Sequence, residues 1–455
     1  MSTSDHPNIL VLLCDQLRRR ALSVYGAPDA RTPHIDALAA RGVRFNNACS
    51  TYPICVPFRF TMMTGEYAHS RKVPGIEYAM SPTERTLADE FNDAGYETIY
   101  IGKWHLDGGH GRLESARQVN RTPVAPVNQG RWQKWLGFEL RNDPFDTYYF
   151  EDDDPTPQKI DGYQTDGLYD LGIDYLKTRA TDRPFCTVIS VEPPHNPFVA
   201  PEGVQNEWEQ RDLTLPPNFQ ADDDKRDKVL LDRKRYYAMV ENLDTNVGRI
   251  IDYLEQSGQL ENTVVCFLSD HGELGGSHGL GQKQWPYEES VGIPFIVYDP
   301  RSPERAGAAI EDPVCTEDLF PTFLGLAGLK PQNSLHGRDL TDLMHRSQKS
   351  LNREGVLLEF VAELRRGAAF YEEVWRGFRT RRYKYTVKGN NMGGRPWQFY
   401  DLESDPYEMT NLVDDPSSES LVADHHRLLR DRIEATSDHF VLLPAFGVEG
   451  VNLWE

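Results

Sequence analysis

The sequence has 455 residues, of which 39% are hydrophobic, so the chain is long enough for one large domain with a smaller appendage. Its net charge of -21 argues against nucleic acid and anionic membranes as partners. Six dispersed cysteines exclude the disulfide framework of a small secreted protein. The apolar run Ile9–Leu13 is too short for a signal peptide, so we expect a cytoplasmic protein, or a periplasmic one if a leader has been removed.

Strands and helices alternate along the first part of the chain. The predicted elements are, in chain order, strand Asn8–Cys14, a helix from Pro33 to Gly42, strand Val43–Ala48, a helix that starts at Cys55 and is closed by Gly65, helix Thr86–Asn92, strand Tyr96–Ile101, helix Thr165–Lys177, strand Phe185–Val191, helix Arg233–Leu254, and strands Val264–Ser269 and Ile293–Tyr298. This alternation predicts an α/β domain over residues 1–350, with a mostly parallel central sheet and helices on both faces.

The last part of the chain has shorter β-rich runs. These runs span Val356–Phe360, Trp375–Thr380, Tyr383–Val387 and Gln398–Asp401, and a helix over Ser418–Ala435 follows them. We expect residues 351–455 to form a smaller C-terminal subdomain, in which an antiparallel sheet and a helix pack on the first domain.

Between Asp107 and Gln164 the hydrophobic periodicity fails, and Gly, Pro, Trp and acidic residues dominate. A connection of this length in a compact domain is usually functional. We therefore predict that Arg131, Trp132 and Trp135 line the rim of a substrate pocket, where aromatic faces suit a sugar or an aryl group. Packing in the core explains a Trp equally well.

The most specific motif lies between Tyr52 and Gly65. Pro57 suits a first helical turn, which places Cys55 at the positive end of a helix beside Arg59, a setting expected to lower the pKa of the thiol. A buried, inert cysteine is the alternative. The pattern Cys-Val-Pro-Phe-Arg followed by Thr-Gly resembles the signature of the formylglycine-dependent sulfatase family. In that family a formylglycine-generating enzyme oxidises the cysteine after translation, and Ser usually stands at the position of Phe58.

Polar side chains follow the ends of several predicted strands, namely Asp15, His105, His195 and Asp270. Ligands of open α/β sheets bind outside the carboxyl ends of the strands, so we expect these segments to converge on one edge. Asp15 and Asp270 would repel each other there unless a cation lies between them. A single Asp is, however, more often a helix cap or a turn former.

The resemblance to sulfatases implies a divalent metal at this edge, although Cys14 stands where the family has the first residue of an Asp-Asp pair. The ligands that it implies are Asp15, Gln16, Cys55, Asp270 and His271. An oxygen-rich set suits Ca²⁺, and the imidazole and the amide leave room for Mn²⁺ or Mg²⁺.

Further basic residues match the family's sulfate site. Lys103 and His105 stand two apart and would face the same side of an extended segment, with Trp104 in the packing. The resemblance implies that Lys103 and Lys283 bind sulfate oxygens and that Arg59 adds positive charge. It also implies that His105 contacts the formylglycine hydroxyl and that His195 protonates the departing alcohol, although a histidine that caps a backbone carbonyl is an equal alternative for His195. Gly292 stands where the family commonly has Arg.

Taken together, the motifs resemble those of a sulfatase with the alkaline phosphatase-like fold over nearly the whole chain. The implied activity is the hydrolysis of a sulfate monoester, on a sulfated carbohydrate or an aryl or alkyl sulfate, through a formylglycine nucleophile and a divalent metal. A phosphonate monoester hydrolase or phosphodiesterase of the same superfamily is one alternative. A non-catalytic protein that binds sulfated glycans is another, but binding alone needs neither a proton donor nor the cysteine motif.

Overall fold

The computed structural model describes residues 6–76, 78–108, 121–345, 348–390 and 392–452. The strands within these ranges form the framework of the fold. These strands are β1 (Asn8–Cys14), β2 (Val43–Phe45), β3 (Ala48–Cys49), β4 (Glu97–Lys103), β5 (Lys134–Phe138), β6 (Tyr148–Glu151), β7 (Gln158–Lys159), β8 (Phe185–Val191), β9 (Thr263–Ser269), β10 (Phe295–Tyr298), β11 (Ala308–Ile310), β12 (Val314–Cys315), β13 (Gly355–Phe360), β14 (Val374–Thr380), β15 (Tyr383–Asn390) and β16 (Gly393–Asp401). The α-helices of the same residues are α1 (Pro33–Arg41), α2 (Cys55–Thr64), α3 (Leu87–Asp93), α4 (Gln164–Thr178), α5 (Glu202–Glu209), α6 (Arg226–Gln256), α7 (Glu288–Val291), α8 (Leu319–Leu326), α9 (Thr341–Met344) and α10 (Glu419–Ala435).

Ten of these strands form one mixed sheet in the order β11-β2-β10-β9-β1-β8-β4-β5-β6-β7. Its centre is parallel, because β1 pairs with β8 and β9, and β4 pairs with β8 and β5, all in the parallel sense. Strands β10 and β6 run antiparallel to their neighbours β9 and β5. The α/β class with a mostly parallel central sheet, predicted from the alternation of elements, is confirmed.

The register of the central strands places their last residues side by side. Cys14 at the end of β1 is paired with Val191 of β8 on one side and with Ser269 of β9 on the other. The residues that follow these three strands therefore leave the sheet at the same level, as the rule for parallel sheets predicts.

Strand β1 is buried on both faces of the sheet. Ile9, Val11 and Leu13 belong to one apolar core, which also contains α2 and α8, while Leu10 and Leu12 point into a second core under the long helix α6. The continuous apolar sequence of β1 follows from this burial, since a strand covered on both sides cannot alternate with polar residues.

A second, four-stranded antiparallel sheet has the order β13-β14-β15-β16 and packs against α10. Val356 and Leu358 of β13 reach the core of the large sheet, whereas Leu357 joins the smaller core between β15 and α10. The small sheet is thus joined to the rest of the protein by shared apolar packing. No helix of the described residues combines the length and apolarity needed to cross a membrane.

Two predicted regions differ from the structure. The strand predicted over Val43–Ala48 is split into β2 and β3, which belong to different sheets. The segment Asp107–Gln164, where the hydrophobic periodicity indicates no element, contains β5, β6 and β7, which extend the large sheet towards its edge. Strands β6 and β7 at the edge are only partly covered, so their sequences carry a weaker hydrophobic pattern, whereas β5 is buried but only five residues long. Residues 109–120 of this segment lie outside the described residues.

A buried histidine connects the segment after α2 to the small sheet and gives a first prediction, on stability. His69 Nδ1 lies 2.6 Å from Glu359 Oε2 of β13, and Asp438 lies 4.0 Å away. Burial favours the neutral ring, but these carboxylates outweigh it and raise the pKa of His69 to about 9. The charged ring therefore stabilises the fold fully below pH 6.5, and this contribution is lost as the pH rises through about 9.

We expect the free energy of unfolding of the wild type to fall by up to about 3 kcal/mol between pH 6.5 and pH 9 relative to that of His69→Gln. Urea unfolding at a series of pH values measures this difference. Parallel pH profiles for the two proteins would contradict it.

Candidate active site

Cys55 is the first residue of α2, as the motif predicts. Ile54 before it is extended, and Gly65 after the helix adopts a left-handed conformation with φ of 74°, which glycine accepts without strain. The Cys55 Sγ lies 3.3 Å from His271 Nε2, 3.4 Å from Lys283 Nζ and 3.6 Å from Asp15 Oδ1. The thiol is therefore surrounded by residues from three distant segments of the chain.

The pKa of the Cys55 thiol is raised, not lowered. Burial has the largest effect and the carboxylate of Asp15 adds to it, so that the pKa reaches about 11 despite Lys283 and Lys103 nearby. The expectation of a lowered pKa at this helix end is wrong, because burial and, after it, the carboxylate of Asp15 outweigh the neighbouring positive charges. At neutral pH the thiol stays protonated and is a poor nucleophile.

Three ionisable groups next to Cys55 form a buried cluster. Asp15 follows β1, and Asp270 and His271 follow β9, so the shared register of these strands brings them together. One ligand atom from each of Asp15, Cys55, Asp270 and His271 lies within 4.8 Å of all the others. Burial and the charge of Asp15 raise the pKa of Asp270 to about 7. Burial has the largest single effect on Asp15 and acts in the same direction, but the charges around it, that of Lys103 first among them, together hold the pKa of Asp15 well below its usual range.

Arg59 lies beneath the cluster and does not line the cavity. Its Nη2 is 3.2 Å from Asp15 Oδ2 and 3.6 Å from Asp270 Oδ2, and its Nη1 donates to the Lys103 carbonyl and to Ser190 Oγ, both at 2.8 Å. Arg59 thus ties α2 to the ends of β4 and β8. Its positive charge acts on the carboxylates from inside the protein.

Lys103 and His105 both line the cavity above Cys55, while Trp104 between them is buried in the core. Lys103 ends β4, and its Nζ lies 2.8 Å from Asp15 Oδ2. His105 has a positive φ of 56°, and its backbone N–H donates to the Glu139 carbonyl at 2.9 Å. Non-glycine residues rarely adopt this conformation, and those that do are often found at functional sites.

His195 lies in the loop that follows β8 and also lines the cavity. Its Nδ1 is 2.6 Å from the Asn196 carbonyl oxygen, so Nδ1 carries a proton and Nε2 is left for a ligand. Burial, and next the charge of Lys283, hold the pKa of His195 well below its usual range. In the free site the ring of His195 is therefore neutral at neutral pH.

Two buried glutamates support this site, and the sequence analysis missed both. Glu273 accepts a hydrogen bond from Gln16 Nε2, while Gln16 Oε1 accepts one from Lys283 Nζ at 2.8 Å. Glu192, which follows β8 directly, accepts from the backbone N–H of Asn142 at 3.0 Å and lies 3.9 Å from Lys103 Nζ. Glu192 stands at a strand end like Asp15, a signal that was available in the sequence.

The cavity around Cys55 has a volume of about 430 Å³. Its described lining residues are Ile54, Cys55, Ile76, Lys103, His105, Asn142, His195, Asn196, Gln282, Lys283, Gln284, Arg365, Ala368 and Ala369. Four of these side chains are carboxamides, and none of the described lining residues has an aromatic side chain other than a histidine ring. The wall is therefore partly polar, and its carboxamides are suited to hydroxyl groups.

The residues predicted for the pocket rim lie elsewhere. Trp132 and Trp135 are buried in the core against Tyr100. Arg131 forms an ion pair with Asp89 and donates to the carbonyl of Pro82. The position of these tryptophans agrees with the alternative interpretation, packing in the core. Trp135 lies on β5, and its side chain is buried in the interior of the protein.

Comparisons with known proteins agree with this geometry. The profile of the family described as Sulfatase matches residues 7–329, and the profile described as N-sulphoglucosamine sulphohydrolase, C-terminal, matches residues 276–435. The ulvan-active sulfatase of Formosa agariphila is 32% identical over 440 residues, which cover 95% of this chain and 82% of that protein.

Solved structures extend the likeness to the fold. The yidJ protein of Bacteroides fragilis superposes with a TM-score of 0.85 at 27% identity, over 95% of this chain and 97% of that one. The phosphonate monoester hydrolase of Agrobacterium radiobacter shares the fold, with a TM-score of 0.76 at 22% identity over 98% of this chain and 99% of that one. From the motif around Cys55, the buried cluster beside it and these matches, we conclude that the chain belongs to the sulfatase family.

Proposed function

We propose that this sulfuric ester hydrolase acts on a sulfated saccharide in the cavity around Cys55, after a formylglycine-generating enzyme has converted Cys55 to formylglycine. The observation that carries the proposal is the set of cations and histidines around one buried cysteine whose thiol is itself a poor nucleophile. Lys103 and Lys283 offer positive charge to the sulfate oxygens. The hydrated aldehyde of formylglycine would supply the hydroxyl nucleophile that a protonated thiol lacks.

The buried cluster fits a divalent cation. Asp15 and Asp270 are two carboxylates at close range, and Asp270 Oδ2 accepts no hydrogen bond from any of the described residues. His271 Nδ1 lies 3.0 Å from the Gly272 carbonyl oxygen, so its proton is on Nδ1 and the lone pair of Nε2 points into the cluster. We propose that Asp15, Asp270 and His271 hold the ion, with Gln16 and the side chain at position 55 as further ligands. The oxygen-rich set favours Ca²⁺ over Mn²⁺ or Mg²⁺. The ion would neutralise the carboxylates and polarise sulfate oxygens.

The metal proposal gives a second prediction. Asp270→Asn should lower the bound divalent metal from about one ion per chain to a small fraction, because half of the carboxylate charge at the site is removed. Metal analysis of the purified protein by mass spectrometry measures this. Asp244 is a buried aspartate that caps α1 far from the cluster, so Asp244→Asn is the matched control and should keep the metal. Equal metal content in both variants would show that the cluster is not the metal site.

The two histidines have separate tasks in the proposed reaction. His195, once protonated on Nε2, would give its proton to the alcohol oxygen as the alcohol departs, and the negative charge of a bound sulfate ester would favour the protonated ring. His105, on the loop after Lys103, would act on the hydroxyl groups of residue 55 in the later release of sulfate. Glu192 and Glu273 keep Lys103 and Lys283 in place.

The wall of the cavity supports a saccharide rather than an aryl group as the substrate. Carboxamides both donate and accept hydrogen bonds, as sugar hydroxyls do, and the described wall offers no Phe, Tyr or Trp ring for stacking. Asn142 and Gln282 hold left-handed backbone conformations with φ of 55° and 64°, which is typical of residues kept for a function. Asn142 is the clearest candidate for a contact with the sugar.

A third prediction tests this substrate class. Asn142→Gly keeps the left-handed backbone but removes the carboxamide, so we expect kcat/KM to fall about tenfold for a saccharide sulfate and to stay within about twofold for nitrophenyl sulfate. Asn352 is an exposed, left-handed asparagine elsewhere, and Asn352→Gly is the matched control. Faster turnover of a phosphonate monoester than of every sulfate ester would favour the alternative hydrolase, and no turnover at all would favour the binding protein.

A further inference from the structure

A second polar cavity lies between the turn after β1 and the small C-terminal sheet. Its volume is about 370 Å³. The arginines that line it, here called the arginine cavity, are Arg19, Arg20, Arg379, Arg381 and Arg382. The glutamates Glu288, Glu311 and Glu403 line it as well. Such a concentration of guanidinium groups is unexpected in a chain with a net charge of -21.

Only some of these arginines are neutralised by carboxylates. Arg19 and Arg379 share Glu288, at 3.0 and 3.4 Å, and Arg382 lies 2.7 Å from Asp401. Within the described part of the chain, neither Arg20 nor Arg381 has a carboxylate oxygen within the 4.0 Å that defines an ion pair. The cavity therefore holds positive charge that the surrounding residues do not balance.

Arg20 is held in place without being neutralised. Its guanidinium lies over the Tyr407 ring, 4.6 Å from the centroid, and its Nη1 donates to the Pro406 carbonyl at 2.7 Å. Burial, and next the charge of Arg19, lower the pKa of Arg20. A fixed, half-buried guanidinium that contacts no described carboxylate loses little entropy when it binds an anion.

The carboxylate of Glu311 in the cavity would repel a bound anion. Glu311 accepts hydrogen bonds from the side chains of Asn46 and Asn47 rather than from an arginine. Its negative charge therefore weakens the attraction that Arg20 and Arg381 exert on a ligand. Loss of the charge of Arg20 and Arg381 should therefore weaken the binding of an anion, and loss of the charge of Glu311 should strengthen it.

We propose that the arginine cavity binds a tetrahedral oxyanion, a sulfate group, at a site separate from the cavity around Cys55. Planar guanidinium groups present paired N–H donors that match the oxygens of such an anion. The sulfate group is either free or carried by a saccharide. This site does not depend on the proposed maturation of Cys55 or on the proposed metal.

The experiment measures the rise in melting temperature of the full chain with increasing sodium sulfate, at an ionic strength held constant with sodium chloride. The test variants are the double substitution Arg20→Gln with Arg381→Gln and the single substitution Glu311→Gln. The control is Arg427→Gln with Arg430→Gln on α10, which removes the same charge outside the cavity. General stabilisation by sulfate and its binding near Cys55 contribute equally to all of these proteins. A parallel series with sucrose octasulfate tests a sulfate group on a saccharide.

We expect the Arg20/Arg381 variant to need at least about tenfold more sulfate for the same rise in melting temperature, and Glu311→Gln to need less than the wild type. A change seen with inorganic sulfate identifies the free anion as a ligand, and one seen only with sucrose octasulfate identifies the saccharide-borne group. If both arginine double variants respond to the two probes as the wild type does, the proposal is overturned. Crystals soaked in selenate add a direct readout, and an anomalous selenium peak near Cys55 with none between Arg20 and Arg381 also overturns it.

Discussion

Replacing Cys55 by Ala is expected to lower kcat/KM for a sulfate ester by roughly 10⁵- to 10⁶-fold, the scale of losing a covalent nucleophile. The buried thiol of the unmodified residue is protonated at neutral pH, so the same loss is expected for wild-type protein that has not been matured. Kinetics with one saccharide sulfate, for matured wild type, unmatured wild type and Cys55→Ala, measure the effect. Full activity of Cys55→Ala would exclude a covalent role for this residue.

The state of Cys55 can be read from a single tryptic peptide. Cleavage after Arg44 and Arg59 releases Phe45–Arg59, which contains both Cys49 and Cys55. Conversion of Cys55 to formylglycine should lower the peptide mass by roughly 18 Da, the difference between a thiol side chain and an aldehyde. Alkylation should then label Cys49 alone, so Cys49 is an internal control. A fully active preparation with two labelled cysteines would refute the maturation.

The second large effect separates His195 from His105. If His195 protonates the leaving oxygen, His195→Ala should lower kcat/KM for a saccharide sulfate by about 10²- to 10⁴-fold. Nitrophenyl sulfate should be affected much less, because nitrophenolate departs without a proton. His105 is proposed to act after the alcohol has left, so His105→Ala should slow both substrates and let protein that carries sulfate accumulate.

Both variants measured on both substrates decide between these roles. Intact-mass spectrometry after rapid quenching detects the protein that carries sulfate in His105→Ala. Equal losses for His195→Ala on the activated and the unactivated ester would remove His195 from the acid role and leave it as a residue that binds the substrate.

The elements that the sequence predicts best are those with a strong local signal. Strands β1 and β8 are predominantly apolar runs that are followed by polar residues, and α2 has Pro57 in its first turn and Gly65 after its end. Their bounds agree with the prediction to within a residue. The strand ends also indicate which polar residues meet, because a parallel sheet aligns its carboxyl ends.

Other features depend on contacts that local patterns do not contain. The pKa of Cys55 is set by burial and by Asp15, forty positions away in the chain, which outweigh the helix end. Trp135 was expected at a pocket rim but lies in the core, because β5 joins the edge of the sheet through its pairing with β4. Glu273 matters through Gln16 and Lys283, a chain of hydrogen bonds that only a structure brings together.

The register of β1 has a consequence for how this protein can change. A slip of β1 by one residue would exchange the side chains that face the two cores and would also withdraw Asp15 from its place between the ends of β8 and β9. A change that shifts β1 therefore disrupts both the folding and the active site. Variants that still fold keep Asp15 aligned with the other reacting groups. Asn142 and Gln282 lie on loops outside the core strands, so their side chains can change without a shift of this register. Directed evolution towards a new substrate should find its tolerated changes there.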